Sequence, residues 1–131
     1  MKIKSYRELH VWQKSMELVI ECYRLVEKFP KYEIYGLGSQ LRRVVVSVVA
    51  NIAEGHERSH SKEFIQHLSI AYGSLAGVET HLEIAQRLQY IEKEEQEILA
   101  EKSATIGRML NALKRSLTTG NRPSRSPTSE T

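Results

Sequence analysis

The sequence predicts an all-α protein, an antiparallel up-down-up-down four-helix bundle with a disordered C-terminal tail. Apolar residues recur at alternating steps of three and four through four separate segments between residues 6 and 117, the spacing that puts side chains on one face of a helix. The breaks between segments are short, the first two marked by Pro, Gly or Ser, so consecutive helices run antiparallel. A chain of 131 residues holds one domain and can bury roughly two thirds of its unfolded surface. The domain is expected over residues 1–117 and the tail over 118–131.

Helix 1 carries Leu9, Trp12, Met16, Val19, Tyr23 and Val26 on one seam, and Val11, Leu18, Cys22 and Leu25 almost opposite. Two apolar faces on one helix ask for two partners. Proline disfavours helical geometry in the residue before it, so the Phe29-Pro30 step ends this helix, and KYEIYGLG turns the chain.

Helix 2 is the most apolar stretch. Leu37, Leu41, Val44, Val45, Val48, Val49 and Ile52 cover the core side, while Gln40, Arg43, Ser47, Asn51, Glu54 and Arg58 share a polar stripe about 80° wide. Val46, Ala50 and Ala53 fill most of the remainder. The β-branched run VVVSVV also fits a buried strand. It continues without a turn signal through Ala50–Glu54, which is long for a strand and ordinary for a helix. The excess apolar surface on helices 1 and 2 predicts an oligomer interface. Its candidate residues are Leu18, Cys22, Leu25, Arg42, Val46, Ala50 and Ala53.

Gly55 and HERSHS mark the end of helix 2, with Ser61 as the expected N-cap of helix 3. Helix 3 has clean heptads: Phe64, Ala71, Val78 and Ala85 interleave with Leu68, Leu75 and Leu82. Gly73 and Gly77 cost the helix about 1 kcal/mol each relative to alanine, so tight packing is expected at both. In helix 4 the acidic EKEEQE suits the positive end of the helix dipole, although no small polar cap precedes it. Ile98, Leu99, Ile106, Met109, Leu110, Leu113 and Leu117 form its predicted buried stripe. The following TTGNRPSRSPTSET has no apolar residue and two prolines, the composition of a solvated tail.

Composition excludes several classes. The single Cys22 rules out a disulfide framework within one chain and suits a reducing cytoplasm, as a packed rather than a reactive thiol. Neither a membrane span nor a signal peptide is visible, so a soluble cytoplasmic protein is expected. No aspartate occurs, which removes the commonest partner for two-carboxylate chemistry and magnesium sites.

The net charge of +3 is unevenly spread, with both flanks basic and the stretch between residues 63 and 101 acidic. Bundle topology gathers the start of helix 1, the helix 2–3 turn and the end of helix 4 at one pole. Lys2, Lys4, Arg7, Arg58, Lys62, Lys114 and Arg115 meet there, joined by Arg122 and Arg125 of the tail. Glu83, Glu92, Glu94, Glu95 and Glu97 collect at the other, with Lys28, Lys31, Arg87 and Lys93 among them. Clustered Lys and Arg neutralise phosphates without reading base sequence.

The string from Phe29 to Arg58, with FPK, YGL, SQLRR and ANIAEG, followed by the EFI and GSL of helix 3 and GRMLNALKRSL of helix 4, resembles the 23S rRNA intervening-sequence protein family. It also resembles the related accessory variability determinant proteins of diversity-generating retroelements. The resemblance spans roughly residues 6–117 and implies a bacterial helical bundle that assembles as a homopentamer. It also implies association with structured RNA or with a reverse transcriptase. It brings no catalytic residues and no cofactor.

His56-Glu57-Arg58-Ser59-His60 matches H-E-x-x-H, which on a helix puts two imidazoles on one face as zinc ligands. Glu79 or His81 could supply a third ligand and His67 could join adventitious binding. Gly55 directly before the motif, the serines within it and the absence of any predicted sheet to hold a peptide favour a solvated polar turn and no metal. Arg42 projects among apolar neighbours, where a bare guanidinium is expensive, so a carboxylate or carbonyl partner is expected, Glu54 of the same or another chain among them. Asn51 and Glu54 read as orientation-setting polar groups. The functional expectation is a non-enzymatic, ring-forming RNA-binding bundle. A protein-only scaffold or reverse transcriptase subunit is the rival reading, and a zinc hydrolase is a third.

Overall fold

The computed structural model describes residues 4–119. Over that range it contains four helices, α1 (His10–Val26), α2 (Leu37–His56), α3 (Ser61–Arg87) and α4 (Lys93–Thr118), with 3-10 turns at Tyr6–Glu8 and Lys31–Glu33. No strand occurs among the described residues, and the valine run of α2 is helical throughout.

Cross-helix contacts give the direction of each packing. From α2 to α3, Asn51 meets His67, Ser47 meets Ser74 and Gln40 meets His81, so one index falls as the other rises. Glu79 of α3 meets Ser103 of α4, and Lys28, just past α1, and Glu21 of α1 meet Glu95 and Lys102 of α4. Each pair is antiparallel. Neighbours around the square pack together, and neither diagonal approaches closely among the described residues.

The heptads of α3 form the bundle's centre as predicted, with Phe64, Leu68, Ala71, Leu75, Val78, Leu82 and Ala85 all buried. In α2, Leu37, Leu41, Val45, Val48, Val49 and Ile52 are buried, and Val44 packs against the core. Burial of this kind is the dominant favourable term in folding.

Helix α1 departs from the expectation. Leu18, Cys22 and Leu25 are 1%, 0% and 7% exposed within a single chain, so they have no surface to offer a neighbouring copy and are not interface residues. They continue the true core seam of Val11, Ser15, Leu18, Cys22 and Leu25, which Ser15 hides from a purely apolar pattern. The face expected as the seam is buried in part, at Leu9, Val19 and Val26, and open in part. Trp12 and Met16 are half-buried, and Tyr23 is exposed beside Ile20.

Smaller departures have local causes. Ile98 is exposed, because the buried stripe of α4 runs Leu99, Ser103, Ile106, Leu110 and Leu117, and residue 98 lies 100° away from that line. Gly73 has no heavy atom within 4 Å of where a Cβ would stand, so it faces open space rather than a tight contact. At Gly77 a Cβ would lie 2.8 Å from Val44 Cγ2, and there α2 and α3 do pack closely.

Ser61 is the first residue of α3 and not its cap; His60 occupies that position without a side-chain hydrogen bond. The start of α4 is closed by Glu95, whose Oε1 accepts the Glu92 N–H at 2.9 Å. This is the capping-box contact that lets a helix begin without Ser or Thr. Helix α4 runs one residue past the expected boundary, to Thr118. Beyond Thr119 the expected tail, with Arg122 and Arg125, lies outside the described residues, as does Lys2.

Candidate functional site

The α2–α3 turn, the Tyr6–Glu8 turn and the end of α4 come together at one pole. Lys4, Arg7, Arg58, Lys62 and Arg115 are exposed there and Lys114 is half-buried. Lys114 and Arg115 line a shallow groove of about 380 Å³ together with Ile65, Asn111, Thr118 and Thr119. Lys114 Nζ also lies 5.7 Å from the Tyr72 ring centre, a cation–π contact that holds the ammonium over the α3–α4 seam.

On the other side of the pole, Tyr6, Ala53, Glu54, Glu57 and Arg58 line a second groove of about 490 Å³. The Arg7 guanidinium stacks over Tyr6 at 4.8 Å, and Trp12 backs Tyr6 with ring centres 5.4 Å apart. Tyr6, Trp12 and the groove they shape escape a reading based on charge alone. Their signal was the YR…W spacing near the chain's start, where an aromatic pair flanks Arg7.

The pole is less uniformly basic than topology suggested. Glu8, Glu54, Glu57 and Glu63 are exposed among the cations. Five Lys and Arg ion pairs nevertheless lie away from this pole: Lys14–Glu17, Lys28–Glu95, Arg87–Glu83, Lys102–Glu21 and Arg108–Glu101. Lys62, Lys114 and Arg115 take part in none of them. Their charges are not neutralised by a neighbouring carboxylate.

The H-E-x-x-H spacing does not form a single helical face. Helix α2 ends at His56, Glu57 is its C-cap and His60 stands before α3. His56 is not solvated either: it is fully buried, edge-on to Phe64 at 5.8 Å and 3.5 Å from Glu57 Oε2. Gly55 is the reason, since a Cβ there would fall 2.7 Å from His67 Cβ and 2.9 Å from Phe64 Cδ1. Without a side chain at 55, α3 closes over the end of α2. No group of three or more His, Cys or Glu among the described residues could hold a metal ion. Glu79 accepts from the buried Ser103 hydroxyl at 2.8 Å, and His81 Nδ1 donates to the Gly77 carbonyl at 2.6 Å.

Arg42 finds the carbonyl partner expected of it, inside its own chain: Nη2 donates to Ile34 O at 3.1 Å. Its guanidinium also lies 6.0 Å from the Tyr23 ring centre, so it ties the α1–α2 connection to both helices. Val46 lies one turn further along the same side of α2 and is 39% exposed. Ala50 and Ala53 are half-buried beside it. With Ile20 and Tyr23 of α1, at 44% and 43% exposure, Val46 makes an open apolar strip along the α1–α2 edge.

Asn51 links α2 to α3, its Oδ1 2.9 Å from His67 Nδ1 and its amide donating to Ser47 O at 2.9 Å. Glu54 stands 4.0 Å from the same imidazole. At the opposite pole Glu33 accepts from Leu37 N–H at 2.9 Å and from the Tyr90 phenol at 2.8 Å. These two donors, the backbone one first, hold its carboxyl below the usual range. Hydrogen-bond contacts with Tyr32 and Glu33 push the Tyr90 phenol up. Among the described residues no helix is long and apolar enough to cross a membrane.

A solved structure from Bacteroides thetaiotaomicron VPI-5482, described as a protein of unknown function from the S23 ribosomal protein family, is similar to this chain at 26% identity and a TM-score of 0.75. The likeness covers 80% of this chain and 98% of that one. No curated protein matches. The family model described as 23S rRNA-intervening sequence protein matches residues 7–112, from the Arg7 turn to the last turns of α4 and short of Lys114 and Arg115. The chain belongs to the 23S rRNA-intervening sequence protein family.

Proposed function

We propose that this protein is a non-enzymatic, self-associating bundle that binds structured RNA through the pole carrying Lys62, Lys114 and Arg115. The observation that carries the reading is the distribution of ion pairs. Lys14, Lys28, Arg87, Lys102 and Arg108, on the shaft and at the other pole, meet carboxylates, while these three gather at one end of the bundle and take part in none of those pairs. Their counter-charge is then available from phosphates, with release of condensed counterions. The family's association with 23S rRNA intervening sequences, as its name states, supports RNA as the partner.

The strip of Ile20, Tyr23 and Val46 supports self-association, as large apolar side chains left open on neighbouring helices favour burial against another copy. Five copies, the number the family resemblance implies, would repeat the pole around an axis and multiply weak contacts. Mass photometry should then give five times the 15.0 kDa of one chain. A monomer at micromolar concentration overturns self-association.

Fluorescence anisotropy with a labelled RNA hairpin tests the binding reading. Affinity should fall steeply between 50 and 200 mM salt, and Lys114→Glu with Arg115→Glu should weaken it at least tenfold with the helical circular dichroism unchanged. Unchanged affinity removes this pole from the site. A second reading draws on the four carboxylates among the cations: a scaffold that binds protein only, such as an accessory subunit of a reverse transcriptase. Absence of RNA binding at low salt favours that reading.

A further inference from the structure

A pole built only to attract phosphates has no use for exposed carboxylates, yet Glu54 and Glu57 line the groove that also holds Tyr6, Ala53 and Arg58. Both are open to solvent, with side chains 61% and 56% exposed. An ionised carboxylate only accepts hydrogen bonds, so it repels a phosphate and selects a ligand that presents donors. Among the four RNA bases, guanine alone carries two adjacent N–H donors on its pairing edge, N1–H and the N2 amino group, matched to the two oxygens of one carboxylate. Adenine and cytosine place an acceptor beside their amino donor. Uracil flanks its one N–H with two carbonyls.

The rest of the groove has the form such a base needs. At its edge the Arg7 guanidinium, held 4.8 Å over the Tyr6 ring, presents a planar surface of the kind on which splayed bases lie. Trp12 supports Tyr6 from behind. Ala53 leaves the wall low, so the groove is open on one side to a base splayed out of a loop. Glu54 is kept near the groove by His67, which Asn51 orients in turn.

We infer that the groove between the Tyr6–Glu8 turn and the end of α2 takes an unpaired guanine of the bound RNA, its pairing edge on Glu54 and Glu57 and its neighbouring phosphates on Arg58 and Arg7. This inference rests on the RNA-binding reading above. It assigns base selectivity to one side of the pole and leaves Lys62, Lys114 and Arg115, on the other side, to contact the backbone.

The test is anisotropy on the full chain with hairpins identical except for one unpaired loop nucleotide: guanosine, inosine, adenosine or uridine. The guanosine hairpin should bind about tenfold tighter than the adenosine one, the discrimination expected of a good bidentate pair. Inosine, which keeps N1–H and lacks the amino group, should fall between. Glu54→Gln with Glu57→Gln should abolish the preference while leaving adenosine affinity unchanged or higher, since two negative charges leave the pole. Equal affinity for guanosine and adenosine hairpins overturns the guanine site and leaves RNA binding standing. A preference that survives in the double variant also overturns it. No binding of any hairpin overturns both.

Discussion

The phenol of Tyr90 donates to the carboxylate of Glu33 across 57 residues of sequence, at 2.8 Å. Glu33 also caps the start of α2 by accepting Leu37 N–H. Tyr90 is brought there by the end of α3, where Gln89 takes a left-handed φ of 67° and Tyr90 N–H closes on Ala85 O, the hydrogen-bond pattern of a helix terminus that reverses the chain. Phe29 packs on the same ring at 5.6 Å. One carboxylate thus joins the α1–α2 connection, the N-terminus of α2 and the α3–α4 turn.

A pH dependence follows from that carboxylate. Its folded pKa lies below the ordinary 4.5, so its contribution is fully present above about pH 4.5 and is lost as the pH falls through the lower folded value. The Tm difference between the native protein and Glu33→Gln should therefore be constant from pH 5 to 7 and shrink below pH 4. A difference that persists unchanged at pH 3 shows that the ionised form contributes nothing.

The two glycines of α3 should respond in opposite directions. Gly73→Ala should stabilise by about 0.5–1 kcal/mol, since nothing stands near the new Cβ and helix propensity improves. Gly77→Leu should destabilise by about 1–3 kcal/mol, because Val44 is stiff in a helix and its Cγ2 is already 2.8 Å from the Cβ position. Urea midpoints of the two variants measure both signs.

Asn51→Ala should cost about 1–2 kcal/mol, because it strands the half-buried His67 Nδ1 and removes the amide bond to Ser47 O. Asn51→Leu should be no better, since the neighbouring Ser47 and Ser74 hydroxyls, 2.9 Å apart, keep this seam polar. Equilibrium unfolding that matches the native protein would mean the bridge is not formed in solution.

Cys22 is fully buried, and burial pushes its thiol up to about 12. Almost no thiolate exists at pH 8 in the folded state, and the thiolate is the nucleophile. Iodoacetamide labelling at pH 8 should therefore proceed only through the opened fraction of molecules and accelerate in urea as that fraction grows. Rapid labelling of folded protein places the thiol at the surface.

Much of this protein is legible in its linear pattern. The four helices, the seven buried heptad positions of α3 and the antiparallel order all follow from local periodicity and short connections, each of which involves residues close in sequence. The gathering of Lys62, Lys114 and Arg115 at one pole follows from that order alone. Arg42's need for a carboxylate or carbonyl partner was also visible, because its environment is set by neighbours on its own helix.

What the chain's order could not decide is where a helix turns and what lies across from it. Both faces of α1 are apolar enough to be buried, and only the packing of α2 and α4 against it selects Leu18, Cys22 and Leu25 for the core and leaves Tyr23 and Ile20 open. Gly73 and Gly77 are one turn apart and chemically identical, yet only Gly77 falls beside Val44 where α2 and α3 pack closely. His56 looks solvated until Gly55 admits Phe64 over it. The sequence by itself determined the helices and their order, through repeats a few residues long. Only the tertiary structure decided rotation, crossing points and the meeting of Glu33 with Tyr90, because those depend on side chains brought together from distant parts of the chain.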